Sequence, residues 1–473
     1  MKRSDLLWRL GLVPPLGLAL YAVASHALLL LGMPLPRALF PGVVAASVVL
    51  AWMLRGPEVV APRDSARNWP RLVAPFAVVT LGFGFCVLVY GSVATGDRSW
   101  DGLVSWSLRA AYLAPPADLT VPFFADPGVY SHSREYPLLQ PLCLGACQSL
   151  VGVLPGRLFF PGLYLAFLLL VANTVRARGL SRGWTWLIVA SFGLTPMWFS
   201  RGGGSVDSGY AELFLAYFLA VAAAGVLLER PLFLACAAFC LPLVKPEGLP
   251  YGVLLCLVTL AGAPGRRLHS AATLSLAGAM LLWLPLQARI VGATPGLGTV
   301  LGPLIGVAVL LACKEFLIRV NVERRALWWW GLAAGVLCVV LAIALRAELA
   351  VSHTPVLRDF ATNLDDIGGR IRSLPRLLGG FLEGLVVVRK FGLIFILLIF
   401  LMLAKPAGRA PSTALASFWI GGVALACLAV FLSPGTDLDH EFRSRFDRLL
   451  LHWVGVGWLL AGPWAARLLT QGR

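Results

Sequence analysis

Long uncharged stretches alternate with short polar connections along most of the chain. Apolar segments fall at about 10–31, 38–54, 72–91, 137–154, 158–175, 184–199, 210–228, 231–243, 249–263, 270–291, 298–313, 327–346, 391–404, 413–433 and 448–466. A helix needs about 20 apolar residues to cross the hydrocarbon layer, and fewer where protein covers its backbone. The pattern predicts an all-α polytopic membrane protein of about 11–14 transmembrane helices, with interfacial helices in the first long connection. Several segments are short or broken, as at Pro155-Gly156 and Pro246-Glu247-Gly248. Such breaks are tolerated at membrane depth where protein or a water-filled cavity shields the backbone. The stretch from Leu10 to Leu31 exceeds the roughly 7–15 residues of a signal-peptide core, so it is expected to be a retained span.

Composition excludes the alternatives. Of 473 residues, 59% are apolar and only 13% charged, roughly half the charged share of about 25% in soluble domains. A soluble core stops growing at about 250–300 residues, which rules out ordinary soluble domains, and the apolar content rules out disorder. Lys plus Arg outnumber Asp plus Glu by 39 to 23, for a net charge of +16. This surplus lies between apolar stretches rather than in a basic run interleaved with aromatics, so no nucleic-acid partner is expected.

The positive-inside preference gives an orientation. It places Lys2, Arg3, Arg9, the loop carrying Arg55, Arg63, Arg67 and Arg71, Arg266/Arg267, the 314–325 stretch, Lys405/Arg409 and Arg467/Arg473 in the cytoplasm. Connections 92–136, 347–390 and 434–447 then face outward. One conflict arises: simple alternation through 137–175 puts Arg176, Arg178 and Arg182 outside, unless one segment there does not cross. Three regions follow: an N-terminal transmembrane hairpin (1–70), a core with the external loop 92–136 (71–290), and a C-terminal transmembrane region with external loops 347–390 and 434–447 (291–473).

No Walker loop and no Gly-x-Gly-x-x-Gly after a strand occurs, and no polar stretch is long enough to fold a nucleotide-binding domain. The nine cysteines all lie in apolar stretches, with Cys143/Cys147 and Cys236/Cys240 four residues apart. They read as buried small side chains rather than as a metal site or a disulfide framework.

The polar residues that border these spans carry the chemistry. In the first external loop Asp101, Ser105 and Arg109 recur every four residues and share one helix face, opposite Leu103, Trp106, Ala110 and Leu113. The loop closes with His132 and Glu135 just before Tyr136-Pro137, where the chain returns to the membrane. Asp207 and Glu212 precede one apolar segment, and Lys245 and Glu247 sit at a helix break. Ionisable groups at membrane depth cost about 2.5–3.5 kcal/mol each on insertion scales and usually face a cavity or a partner. The last external loop brings His440, Arg443, Arg445 and Arg448 to the outer side, against the positive-inside preference. Arginine there suits a phosphate, through its planar fork of donors. Plainer readings stand beside these: a dipole-stabilised first-turn acid at Asp101, solvated charges at His132 and Glu135, a mutual Lys245–Glu247 pair, and arginines snorkelling or paired with Asp439 and Asp447.

Taken in order, Trp100-Asp101-Gly102, Glu135-Tyr136-Pro137-Leu138-Leu139, Tyr210-Ala211-Glu212-Leu213, Lys245-Pro246-Glu247-Gly248, and His440 followed by Arg448 resemble bacterial polytopic glycosyltransferases of the GT-C superfamily, such as membrane mannosyltransferases and aminoarabinose transferases. The resemblance covers the chain from about residue 75 onward. It implies a sugar taken from a polyprenyl-phosphate carrier at the periplasmic face of the inner membrane, and an acid of the first external loop, here Asp101, at the catalytic centre. Many relatives carry a second acid beside the first, but Gly102 follows Asp101, so Glu135 and Glu212 are the candidates for that role.

The expected reaction is inverting. Asp101 takes the acceptor's proton as general base, and cations stabilise the departing phosphate, candidates being Lys245, Arg443, Arg445 and Arg448. Arg109, His132, Glu247 and His440 are further candidates for substrate binding. The acceptor would be a lipid, a glycan or a protein, with membrane lipids as surroundings. No cofactor is required by the sequence; relatives acting on pyrophosphate carriers can use a divalent metal, which stays open. The alternative is a polytopic transporter or lipid flippase, which would string polar residues from one face to the other and often shows two related halves; no such halves are visible here.

Overall fold

The computed structural model describes residues 3–54, 73–94, 102–126, 136–200, 204–262, 266–292, 297–320, most of 378–404, 413–431 and 445–471. Among the described residues the chain is all-helical. In order the helices are α1 (Arg3–Leu30), α2 (Leu39–Met53), α3 (Val73–Ala94), α4 (Leu108–Tyr112), α5 (Pro122–Ala125), α6 (Leu139–Val151), α7 (Val153–Gly156), α8 (Phe159–Ala177), α9 (Arg182–Gly193), α10 (Glu212–Leu227), α11 (Pro231–Val244), α12 (Gly248–Gly262), α13 (Arg266–Ile290), α14 (Leu297–Val320), α15 (Val388–Phe391), α16 (Ile394–Ala404), α17 (Thr413–Phe431) and α18 (Asp447–Gln471). A wider π-type turn, Gly102–Ser107, leads into α4.

Among the described residues, four helical stretches are long and apolar enough to cross a membrane: Trp8–Leu30, Val73–Ala94, Val153–Ala177 and Arg266–Ile290. Shorter apolar helices accompany them, among them Glu212–Leu227, Pro231–Val244 and Ala414–Leu428. The segment 327–346, expected to be a span, lies outside the described residues.

The bundle is built around α10. Every residue from Glu212 to Gly225 is buried, as expected of a helix that is apolar all round. At its 16 residues it is only about 24 Å long, yet neighbouring helices α8, α11 and α18 cover its sides. Small residues allow the close approach. A Cβ on Gly225 would stand 2.9 Å from Leu234 Cγ of α11, and one on Gly455 of α18 would stand 2.6 Å from Phe167 Cζ of α8. Helix α1 is part of this packing, lying against α8, α11 and α13 with Tyr21 and Leu29 buried.

Polar contacts define two ends of the bundle. At one end Lys245, between α11 and α12, meets Glu212 at the start of α10. Helix α12 runs away from this end and α13 runs back to it, so Arg289 near the close of α13 reaches the carbonyls of Leu29 and Leu30 that finish α1. At the opposite end Arg178, after α8, donates to the Leu227 carbonyl that closes α10. There too Arg266 pairs with Glu315 at 2.8 Å, and Lys314 donates to the carbonyls of Thr259 and Leu260.

This geometry resolves the conflict at 137–175. Gln140 near the start of α6 donates to the Gly209 carbonyl, three residues before Glu212. Arg157, just after α7, donates to the carbonyls of Ser92 near the close of α3 and of Asp207. Both limits of the α6–α7 segment therefore lie at the Glu212 end. The segment dips and returns, held close by glycines: a Cβ on Gly145 would stand 2.5 Å from the Ala110 carbonyl oxygen, and one on Gly156 would stand 2.8 Å from Gln148 Cα. Helix α8 is then the segment that runs to the far end, and Arg176, Arg178 and Arg182 join Arg266 and Arg267 there.

Candidate functional site

Three separate stretches converge on one buried carboxylate. Tyr210-Ala211 leads into α10 and places Glu212 in its first turn. There the helix dipole favours an acid, and the side chain is fully buried. Lys245-Pro246-Glu247 forms the sharp break between α11 and α12, closed by Gly248 N–H donating to the Lys245 carbonyl. Pro246 cannot continue the α11 ladder. Only glycine fits at 248, because a Cβ there would lie 1.7 Å from the Leu241 carbonyl oxygen. Arg448 stands in the first turn of α18.

Lys245 Nζ donates to Glu212 Oε1 at 3.0 Å and lies 3.2 Å from Glu247 Oε1. Arg448 Nη1 is 3.7 Å from the same Glu212 oxygen, and its guanidinium carbon sits 5.1 Å from the centre of the Tyr210 ring. Beneath them lie Tyr251 of α12 and His452, one turn after Arg448. The Tyr251 hydroxyl is 3.4 Å from His452 Nδ1, and the ring of Trp453 stands edge-on to Tyr251. His452 is within electrostatic reach of Lys245, Glu212, Glu247 and Arg448.

The electrostatics follow from burial and pairing. Burial pushes the Lys245 ammonium toward neutrality, but Glu212 and Glu247 outweigh it and raise its pKa above the ordinary lysine value. Burial pushes the Glu247 carboxyl up, and Lys245 beside it more than offsets this, leaving its pKa below the ordinary value. Among the described residues the cluster holds two cations and two carboxylates. Glu212 holds the Lys245 ammonium by a charge-assisted hydrogen bond and has Arg448 close to the same oxygen.

The remaining candidates divide clearly. Asp101, His132, Glu135, His440 and Arg443 lie outside the described residues. Arg445 is partly buried just before α18. Arg109, expected to bind substrate, is fully buried. Its guanidinium donates to the carbonyls of Ser105 at 2.6 Å and Tyr136 at 3.0 Å, and lies near the rings of both Trp106 and Tyr136. It ties the turn that follows Asp101 to the residues that follow Glu135.

Sequence reasoning missed His452, Tyr251 and Arg157. His452 follows Arg448 by four residues, the spacing that puts two side chains on one helix face, and that was its only signal. The pair of Lys390 and Asp447 at the same end of the bundle was also missed. Among the described residues no group of three or more His, Cys, Asp or Glu side chains is placed to hold a metal ion. Compared with protein-family models, curated proteins and solved structures, the chain matches none.

Proposed function

We propose that the protein is a membrane glycosyltransferase that moves a sugar from a polyprenyl-phosphate carrier to an acceptor hydroxyl, with inversion, at the periplasmic face of a bacterial inner membrane. The observation that carries this reading is the convergence of Lys245 and Arg448 on Glu212 from segments far apart in sequence. Two cations preset by a buried acid form a receptor for a leaving phosphate that needs no reorganisation during the reaction. The orientation rests on the arginines at the opposite end, Arg176, Arg178, Arg182, Arg266 and Arg267, which the positive-inside preference assigns to the cytoplasm.

In the proposed step the acceptor oxygen gives its proton to Asp101 and bonds to the anomeric carbon. The bond from that carbon to the phosphate oxygen breaks, and its electron pair leaves with the phosphate toward Lys245 and Arg448. Glu212 holds both cations throughout. Arg109 acts as a staple for the loop that follows Asp101. The polyprenyl tail would lie along the apolar flank of the bundle.

The rival reading, a transporter or flippase, needs polar groups along the whole path between the faces. Glu212, Lys245, Glu247 and Arg448 instead gather at one end, below which α10 is apolar. The deciding experiment compares envelope glycolipids and glycans by mass spectrometry between cells with the wild-type protein and cells with Asp101→Asn or Lys245→Met. Loss of one sugar mass in both variants, with the protein still inserted in the membrane, is expected. Unchanged glycans in both would overturn the reading.

A further inference from the structure

The two carboxylates on Lys245 are not equivalent. Glu212 is fully buried, and its Oε1 faces both Lys245 and Arg448. Among the described cations Glu247 pairs with Lys245 alone, and its side chain is the most open of the four, at 29% exposed against 11% for Lys245, 17% for Arg448 and 0% for Glu212. Its second oxygen, Oε2, is buried without a hydrogen-bond donor, which costs free energy in the present position. The backbone beneath it is fixed, because Tyr251 N–H donates to the Glu247 carbonyl and Gly248 is wedged against Leu241. The side chain can therefore leave Lys245 by rotating about its own bonds, with no movement of the helices.

Charge balance gives such a movement a purpose. Among the described residues, Lys245 and Arg448 are balanced by Glu212 and Glu247. An arriving phosphate would bring an uncompensated negative charge into a poorly solvated place, which is strongly disfavoured. Release of Glu247 toward solvent restores the balance without releasing Glu212, and it frees a face of Lys245 for the phosphate.

We infer that Glu247 is an exchangeable counter-ion: it occupies the ligand side of Lys245 when the site is empty and is displaced by the phosphate of the lipid carrier. This inference rests on the proposed function, since it needs a lipid phosphate as ligand. It makes Glu247 a built-in competitor that keeps Lys245 charged and oriented between turnovers. It also sets a threshold that ligands without an anionic group do not meet.

The test uses the full-length protein in lipid nanodiscs, with polyprenyl monophosphate as probe and the corresponding polyprenol as control. Glu247→Gln removes the competing charge and is expected to tighten monophosphate binding about five- to ten-fold, with polyprenol binding unchanged. Glu247→Ala serves as a second variant, because glutamine can keep a weak hydrogen bond to Lys245, and it should shift binding in the same direction. Lys245→Met is expected to abolish the preference for monophosphate over polyprenol. If Lys245→Met has that effect but neither Glu247 variant tightens binding, the exchange is overturned and the lipid-phosphate reading stands. If the wild-type protein does not distinguish monophosphate from polyprenol, both fall.

Discussion

Lys245 Nζ donates to Glu212 Oε1 at 3.0 Å across 33 residues of sequence, and the acid that receives it has no exposure to solvent. Removing one partner of such a pair strands the other charge in a poorly solvated place, a loss of about 3–5 kcal/mol. Glu212→Ala should therefore lower the unfolding temperature markedly in detergent. Replacing partly exposed Glu247 should lower it less. Equal melting of Glu212→Ala and wild type would mean that the pair does not bear on stability.

Gly248 and Gly42 offer a contrast. A Cβ at 248 would stand 1.7 Å from the Leu241 carbonyl oxygen, whereas one at 42 meets nothing within 4 Å. Gly248→Ala is expected to cost about 3 kcal/mol and to displace Lys245 and Glu247, abolishing the proposed transfer. Gly42→Ala, in a helix, should be neutral or slightly stabilising. Thermal melts with a transfer assay separate the two, and a harmless Gly248→Ala would contradict the tight break.

The return of α6–α7 is open to labelling from the two sides. In a cysteine-poor background, Thr120→Cys should react with an impermeant thiol reagent from the face that holds the charged cluster. Arg178→Cys should react only from the other face. Labelling of both from one side would show that α6 crosses after all.

Glu247 also sets a pH dependence. Lys245 holds its pKa below the ordinary carboxylate value, so the folded state binds this proton less readily than the unfolded state. The resulting stability is fully present above the unfolded carboxyl pKa and is lost as pH falls through the lower folded value. Melting curves of wild type and Glu247→Gln should differ at neutral pH and approach each other in acid. A gap that stays constant down to strongly acidic pH would remove the ionised carboxylate as its source.

Much of this was legible from pattern alone, and the failures have physical causes. Glu212, Lys245 and Arg448 stood out because charges beside apolar runs need partners, and the structure supplies the partners. His452 did not stand out: a single imidazole inside an apolar stretch looks like any satisfied core residue, and its relation to Tyr251 is visible only in three dimensions. Arg109 was read as facing a ligand because it shares a helical face with Asp101 and Ser105. Its guanidinium instead reaches the carbonyls of Tyr136 and Pro137, groups that hydropathy cannot show. The path of α6 was ambiguous because a 13-residue apolar helix fits both a short crossing and a return loop. The contacts of Gln140 and Arg157 decide between them.

Helices α1 and α18 run in opposite directions. Arg3 at the start of α1 and Gln471 at the close of α18 stand at the end of the bundle remote from the charged cluster, because Leu30 and Arg448, at the opposite ends of those helices, stand at the cluster's end. A ligand meeting those two helix ends would be separated from Lys245 and Glu247 by the length of the packed bundle.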